Sequence, residues 1–94
     1  MAATHATGWA AAGDAVTHVL GTGSSRAAGL AAEIGAEIAG SLDELLAGVD
    51  VVDICSPTDT HLGYIRAAAA SKTAIVCEKP LGRNYSEARQ AVTV

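Results

Sequence analysis

Two apolar segments in the carboxy-terminal half of the chain are each followed by residues that could bind a ligand. Ser56-Pro57-Thr58-Asp59-Thr60-His61 comes after the segment 49–55, and Glu78-Lys79-Pro80 comes after the segment 73–77. A lysine ammonium at such a position can donate hydrogen bonds to a ligand hydroxyl, while a neighbouring proline fixes the turn. Residue types alone favour a plainer interpretation, in which Lys79 belongs to a surface ion pair at the end of a strand.

The group that begins at Ser56 also reads as the start of a helix. Pro57 removes a backbone donor and sets the turn. Thr58 or Thr60 can cap the helix that follows, whose first N–H groups could then face a ligand. For His61 two interpretations stay open: it lines a ligand groove, or it is a first-turn helix residue packed against the neighbouring loop.

The elements that must position these residues alternate along the chain. Hydrophobic spacing predicts strands at 15–20, 36–39, 49–55 and 73–77, and helices at 2–12, 27–34, 42–47, 58–70 and from 85 onward. Such alternation is typical of an α/β fold with a parallel, doubly wound sheet. The segment 49–55 is apolar enough to be covered on both faces. Because the pattern begins with a helix, we expect the first strand of the sheet to be missing.

Local signals fix several helix ends. Ser41 with Glu44, and Asn84 with Glu87, have the spacing of a capping box. Gly35 is placed to stop the helix before it, and either serine at positions 24–25 can cap that helix at its start.

Composition argues against several functions. The chain has 94 residues, a net charge of -4 and 3% aromatic residues, and its basic residues are scattered, so we expect no nucleic-acid partner. The apolar runs are too short to span a membrane. Cys55 and Cys77 lie in apolar runs and make neither a metal site nor a disulfide framework, which predicts reduced cysteines in a cytoplasmic protein.

The order of the two motifs resembles the N-terminal domain of the glucose–fructose oxidoreductase and inositol dehydrogenase family. In that family a strand ends in Thr/Ser-Pro-x-x-x-His, a helix follows, and the next strand ends in Glu-Lys-Pro. The corresponding residues here are 56–61 and 78–80, and the resemblance runs over essentially all of residues 1–94. Each motif alone is weak, but both together, in this order and context, are fairly specific.

The resemblance implies a Rossmann-like fold, a nicotinamide dinucleotide cofactor and a small hydroxylated substrate. It makes Lys79 the catalytic residue, which hydrogen-bonds the substrate hydroxyl or the ribose and helps to remove the hydroxyl proton while hydride leaves for the cofactor. The remaining cofactor-binding residues that it implies at the two strand ends are Ser56, Pro57, Thr58, His61, Glu78 and Pro80.

A turn at residues 21–26 bears on the choice between NAD and NADP. In the family the preceding strand normally ends in an acid that binds the ribose hydroxyls in enzymes that use NAD. No carboxylate is present in this turn, whereas Thr22, Ser24 and Arg26 offer hydroxyls and a cation that suit a 2′-phosphate. These residues are predicted to bind the cofactor, with NADP favoured over NAD by a small margin. The alternative is that Arg26 is a solvated residue of the first helical turn.

The family also carries features that residues 1–94 do not match. Its first strand, its first glycines and its second, mostly β domain have no counterpart here, so we expect a partial nucleotide-binding domain without a second domain. The first hypothesis is a fragment of an oxidoreductase, inactive alone. The alternatives are an inactive remnant, a binding module that pairs with a partner chain, or another doubly wound domain. Open strand edges would also favour self-association.

Overall fold

Helices and strands alternate in the computed structural model, which describes residues 2–21 and 25–94. In chain order the elements are α1 (Ala2–Ala11), β1 (His18–Val19), α2 (Ser25–Ile34), β2 (Glu37–Ile38), α3 (Leu42–Ala47), β3 (Val51–Ile54), a 3-10 turn (Thr58–Thr60), α4 (His61–Ala70), β4 (Ala74–Cys77) and α5 (Tyr85–Thr93). The predicted order is therefore confirmed, and all pairs of described strands are parallel. The chain divides into two compact units, one ending at Val49 and the other running from Asp50 to Val94.

The first unit contains α1 to α3 and the parallel pair β1–β2, in which His18 lies opposite Glu37 and Val19 opposite Ile38. β1 is much shorter than the predicted segment 15–20. Its partner explains the length, because β2 starts just after Gly35, which has a left-handed backbone (φ 73), and its ladder ends where Ala39 N–H donates to Val19 O at 2.8 Å.

The predicted capping box at the start of α3 is confirmed, with one difference. Ser41 Oγ accepts from Glu44 N–H at 3.1 Å, as the box requires. The Glu44 carboxylate instead accepts from the N–H of Gly40 at 2.7 Å, one residue before the cap. The predicted cap at Ser24, together with the turn residues Thr22 and Gly23, lies outside the described residues.

The second unit contains β3, β4, α4 and α5. The register pairs Val51 with Ala74 and Ile54 with Cys77. Ile54, Ile65 and Ala68 form its buried apolar core, with relative exposures of 5% or less. This core lies where α4 packs on the strand pair, so the helix fixes one face of the sheet.

The expectation that β3 is covered on both faces is wrong for the described residues. Val51 is 38% exposed, and Val76, which lies on the same face of β4, is 40% exposed. An apolar strand sequence shows what a strand is able to bury, but whether both faces are covered depends on the layers packed against it. Among the described helices, none is both long and apolar enough to cross a membrane.

Candidate functional site

The two predicted ligand-binding groups lie side by side in the second unit. β3 and β4 are parallel, so their carboxyl ends fall at the same edge of the sheet, and Glu78 N–H extends the ladder by donating to Ile54 O at 2.9 Å. We call this edge, formed by residues 55–61 and 78–80, the strand-end edge. In open α/β sheets, ligands bind outside the carboxyl ends of the strands.

The segment after β3 is held by its own side chains. Thr60 Oγ donates to Pro57 O at 2.6 Å, and Ser56 Oγ lies 2.6 Å from Thr60 Oγ. Because the Thr60 hydrogen is directed at Pro57 O, the hydrogen of Ser56 completes the second bond. The predicted side-chain cap at Thr58 or Thr60 is not formed, since the Thr60 hydroxyl bonds back to the turn and the helix begins through a 3-10 turn instead.

His61 is the first residue of α4 and is almost completely buried, with 1% of its surface exposed. Its Nδ1 lies 2.8 Å from Pro80 O and its Nε2 lies 2.8 Å from Ser56 O. Of the two interpretations left open by the sequence, the described structure matches the packed, first-turn residue. The ring joins the loop after β3 to the loop after β4.

Lys79 is exposed at the same edge. Its backbone N–H donates to the Glu78 carboxylate at 3.1 Å, and the peptide bond between Lys79 and Pro80 is cis. Within the part of the chain that the structure describes, the Lys79 ammonium has no hydrogen bond or ion pair. An ammonium in this state has all three of its donors available to a ligand. The ion pair that residue types alone favoured is therefore not formed within residues 2–21 and 25–94.

Two thiols lie at this edge, Cys55 directly after β3 and Cys77 at the end of β4, and neither forms a disulfide within the described residues. Cys55 Sγ donates to Asp53 Oδ1 at 3.4 Å, and Cys77 Sγ donates to Glu78 O at 3.4 Å. Burial, and then the Asp53 carboxylate, raise the pKa of the Cys55 thiol to about 12. Burial also raises the pKa of Cys77. Neither thiol is suited to act as a nucleophile near neutral pH.

Sequence reasoning missed Gly82, which lies where the loop after β4 turns into α5. Gly82 is buried, and a Cβ built on it would lie 2.5 Å from Glu87 Cβ and 2.9 Å from Ala88 N. The helix start is confirmed, because Asn84 Oδ1 accepts from Glu87 N–H at 3.0 Å. A glycine two residues before a cap is a weak signal, and only the packing shows that the position needs one.

The remaining predicted cofactor-binding residues belong to the first unit. Arg26 is exposed in the first turn of α2. Thr22 and Ser24 lie outside the described residues, so their assignment stays a prediction.

Comparison with known proteins places the chain in a family. The model of an oxidoreductase family with a NAD-binding Rossmann fold matches residues 1–94. The inositol 2-dehydrogenase of Rhizobium meliloti is 41% identical over 51 residues, which are 54% of this chain and 16% of that protein.

Solved structures agree in fold. The UDP-N-acetylglucosamine 3-dehydrogenase GnnA from Acidithiobacillus ferrooxidans has a TM-score of 0.86 and 33% identity, over 97% of this chain and 30% of that one. GenD2 from gentamicin A biosynthesis, solved in complex with NAD, has a TM-score of 0.86 and 28% identity, over 97% of this chain and 27% of that one. The chain spans less than a third of the length of these three relatives. The chain belongs to the Gfo/Idh/MocA oxidoreductase family, in its NAD-binding Rossmann-fold part.

Proposed function

We propose that this chain is the nucleotide-binding part of a NAD- or NADP-dependent oxidoreductase that acts on a sugar, a polyol or a related hydroxyl compound. One observation supports this most strongly: both motifs converge on the carboxyl edge of two parallel strands, where Lys79 is exposed and its ammonium has no partner among the described residues. Relatives named as inositol and UDP-N-acetylglucosamine dehydrogenases support the same substrate class.

The strand-end edge fits a nicotinamide dinucleotide in its chemistry. Pro57 and Thr58 begin a helical turn, and the first N–H groups of a helix have no partners within it, so they suit an anion or a ribose hydroxyl. When bound, the oxidised nicotinamide ring supplies the acceptor for a hydride. Lys79 would orient the substrate hydroxyl by hydrogen bonding and assist the departure of its proton. Glu78 would orient the ribose or Lys79, and Ser56 and Pro80 would shape the edge through their backbone.

In the proposed reaction, the hydroxyl-bearing carbon would give up a hydride to the oxidised dinucleotide and the hydroxyl oxygen would give up a proton, which would leave a carbonyl compound and the reduced dinucleotide. The chain supplies the side chain that contacts the hydroxyl, but a complete substrate site also needs groups that hold the rest of the substrate.

The dinucleotide preference rests on Arg26. An exposed guanidinium in the first turn of α2 suits the 2′-phosphate of NADP. The relative solved with NAD argues in the other direction. Arg26→Ala should weaken NADP binding at least about tenfold, because a charge-assisted hydrogen bond is lost, and should leave NAD binding unchanged. If the substitution weakened NAD and NADP binding equally, Arg26 would not be the residue that discriminates between the two dinucleotides.

The second candidate function is a non-enzymatic chain, either an inactive remnant or a binding module with a partner. The test uses the polypeptide encoded by the whole reading frame around residues 1–94, supplied with NAD or NADP and a panel of inositols, sugar nucleotides and anhydrosugars. Reduction of either dinucleotide supports the oxidoreductase, and absence of both binding and reduction supports the second candidate.

A further inference from the structure

His61 is the most deeply buried polar side chain in the described part of the second unit, and it meets two backbone carbonyls at once. Ser56 O lies 2.8 Å from one ring nitrogen and Pro80 O lies 2.8 Å from the other. A carbonyl oxygen only accepts, so each short contact is a hydrogen bond when the facing nitrogen carries a proton. A neutral imidazole carries one N–H, so it donates to one of the two carbonyls at a time, and both contacts are hydrogen bonds together only if both ring nitrogens carry protons.

The two carbonyls belong to different loops. Ser56 lies five residues before His61 and Pro80 lies nineteen residues after it, at the ends of β3 and β4 respectively. The ring therefore contacts both halves of the strand-end edge, and it donates to the half that faces its protonated nitrogen. Apolar packing at this position would fill the same space but would not fix the direction of either carbonyl.

The backbone of Lys79 is fixed on both sides by contacts from outside its own loop. On one side Glu78 N–H donates to Ile54 O at 2.9 Å, and on the other Pro80 O meets the His61 ring. The Lys79 ammonium itself has no partner among the described residues. Its position at the edge is thus set by the backbone that carries it, and not by contacts of the side chain.

We propose that His61 is a positioning residue, which holds the loop that carries Lys79 in register with the loop after β3. The role in hydride transfer rests on the proposed function, whereas the structural part of the inference does not. A displaced ammonium changes the alignment of a reacting hydroxyl, so loss of the ring should affect turnover more than dinucleotide affinity.

Amide hydrogen exchange of the 94-residue chain tests the structural part without any cofactor. His61→Leu replaces the ring with an apolar side chain of similar bulk that has no hydrogen-bond donor. Exchange at the Thr60 and Glu78 amides, whose acceptors are Pro57 O and Ile54 O, should quicken about tenfold relative to the rest of the second unit.

The matched control is Arg66→Ala, which also removes one hydrogen bond from α4, the 2.6 Å contact between Arg66 Nη2 and Gln90 Oε1 on α5. It should leave the Thr60 and Glu78 amides unchanged. If His61→Leu does not fold, His61→Gln, which keeps an amide donor but lacks the imidazole ring, replaces it in the same measurement. Unchanged exchange at both amides in the folded variant would overturn the proposal.

The catalytic part is measured on the polypeptide of the whole reading frame. His61→Gln should lower kcat about tenfold while the dissociation constant of the dinucleotide stays within about threefold. If kcat and dinucleotide affinity fell by the same factor, the ring would support folding or cofactor binding in general, and the positioning role would be overturned. If the wild-type polypeptide has no activity, the proposed function fails while the exchange result still decides whether His61 holds the loops.

Discussion

Lys79 presents its ammonium from a backbone that is fixed on both sides, and the residue itself is exposed. In the polypeptide of the whole reading frame, Lys79→Ala should lower turnover about 10²–10⁴-fold, the usual cost of losing a group that assists proton transfer. Dinucleotide affinity should change less than about threefold, since the ammonium acts on the substrate hydroxyl. Steady-state kinetics and a fluorescence titration of the reduced dinucleotide measure the two quantities.

Arg89→Ala is the matched control for Lys79, because Arg89 is an exposed cation on α5 and is not one of the residues that form the strand-end edge. It should leave both quantities as in the wild type. A change in turnover below about threefold for Lys79→Ala would remove the catalytic assignment of this residue.

The thiol of Cys55 should react slowly with alkylating reagents. Its pKa is raised to about 12 from an ordinary 9.0, by burial and then by Asp53, so the thiolate fraction near pH 8 falls about a thousandfold. Native-state alkylation by iodoacetamide, followed by mass spectrometry, should therefore be at least about a hundredfold slower than in the urea-unfolded chain. Equal rates in the native and unfolded chains would contradict the raised pKa.

The same shift has a defined sign for stability. Between pH 9 and pH 12 the unfolded thiol loses its proton while the folded thiol keeps it. The folded state then binds more protons, so the stability of the chain falls as the pH rises through this window.

At the scale of elements, the loop that leads from Pro80 into α5 depends on one glycine. Gly82→Ala forces a Cβ against the backbone of α5, and overpacking of this kind typically costs about 1–3 kcal/mol. Gly63→Ala is the matched control, because Gly63 lies in α4 with no atom within 4 Å of an added Cβ. It should stabilise the helix by about 0.5–1 kcal/mol. In urea unfolding, the midpoint should fall for Gly82→Ala and rise for Gly63→Ala. Equal shifts of the two midpoints would refute the packing argument.

The start of α5 should also make stability depend on acid pH. The Arg83 guanidinium, and then its backbone N–H, bond the Glu87 carboxylate and lower its pKa to about 2 from 4.5. A lowered folded-state pKa gives stability that is present above pH 4.5 and is lost as the pH falls toward 2. Urea midpoints measured across this window should fall more steeply for the wild type than for Glu87→Gln.

Arg83→Ala removes the other partner of this ion pair. It should therefore make the urea midpoint depend less on acid pH, as Glu87→Gln does. If the urea midpoint fell equally steeply with pH in the wild type and in both variants, this pair would not be the cause of the loss of stability in acid.

Helix ends were predictable from sequence, because their signals are local. Ser41 and Asn84 accept from the N–H groups three residues on, as their spacing predicts, and Gly35 ends α2 in a left-handed conformation. Strand lengths were not predictable from sequence, because a strand ends where its backbone hydrogen bonds to the neighbouring strand end. β1 is two residues long because β2 is equally short.

The candidate site was predictable in composition but not in contacts. Parallel strand ends bring Ser56 and Glu78 to one edge, which follows from the order of elements alone. The bonds of His61 depend on a carbonyl nineteen residues away, and the missing cap at Thr60 depends on a competing acceptor in its own turn. Local spacing carries no information about either competition.

At the scale of the whole molecule, the described strands form two parallel pairs, and each pair has open edges. Open edges can pair with further strands, which is the physical basis for the expected self-association. The chain also spans less than a third of the length of two relatives that are named as dehydrogenases. We expect residues 1–94 to contribute groups that bind the dinucleotide and orient the substrate hydroxyl.

The most direct measurement follows deuterium from the hydroxyl-bearing carbon of a labelled substrate to the nicotinamide ring. The substrate is one that the polypeptide of the whole reading frame oxidises, and the 94-residue chain is assayed beside it. We predict that the polypeptide of the whole reading frame yields deuterated reduced dinucleotide, with a rate that falls when Lys79 is replaced by alanine, and that residues 1–94 on their own yield none. Labelled dinucleotide formed by residues 1–94 on their own, or the absence of label in the product of the polypeptide of the whole reading frame, would contradict this prediction.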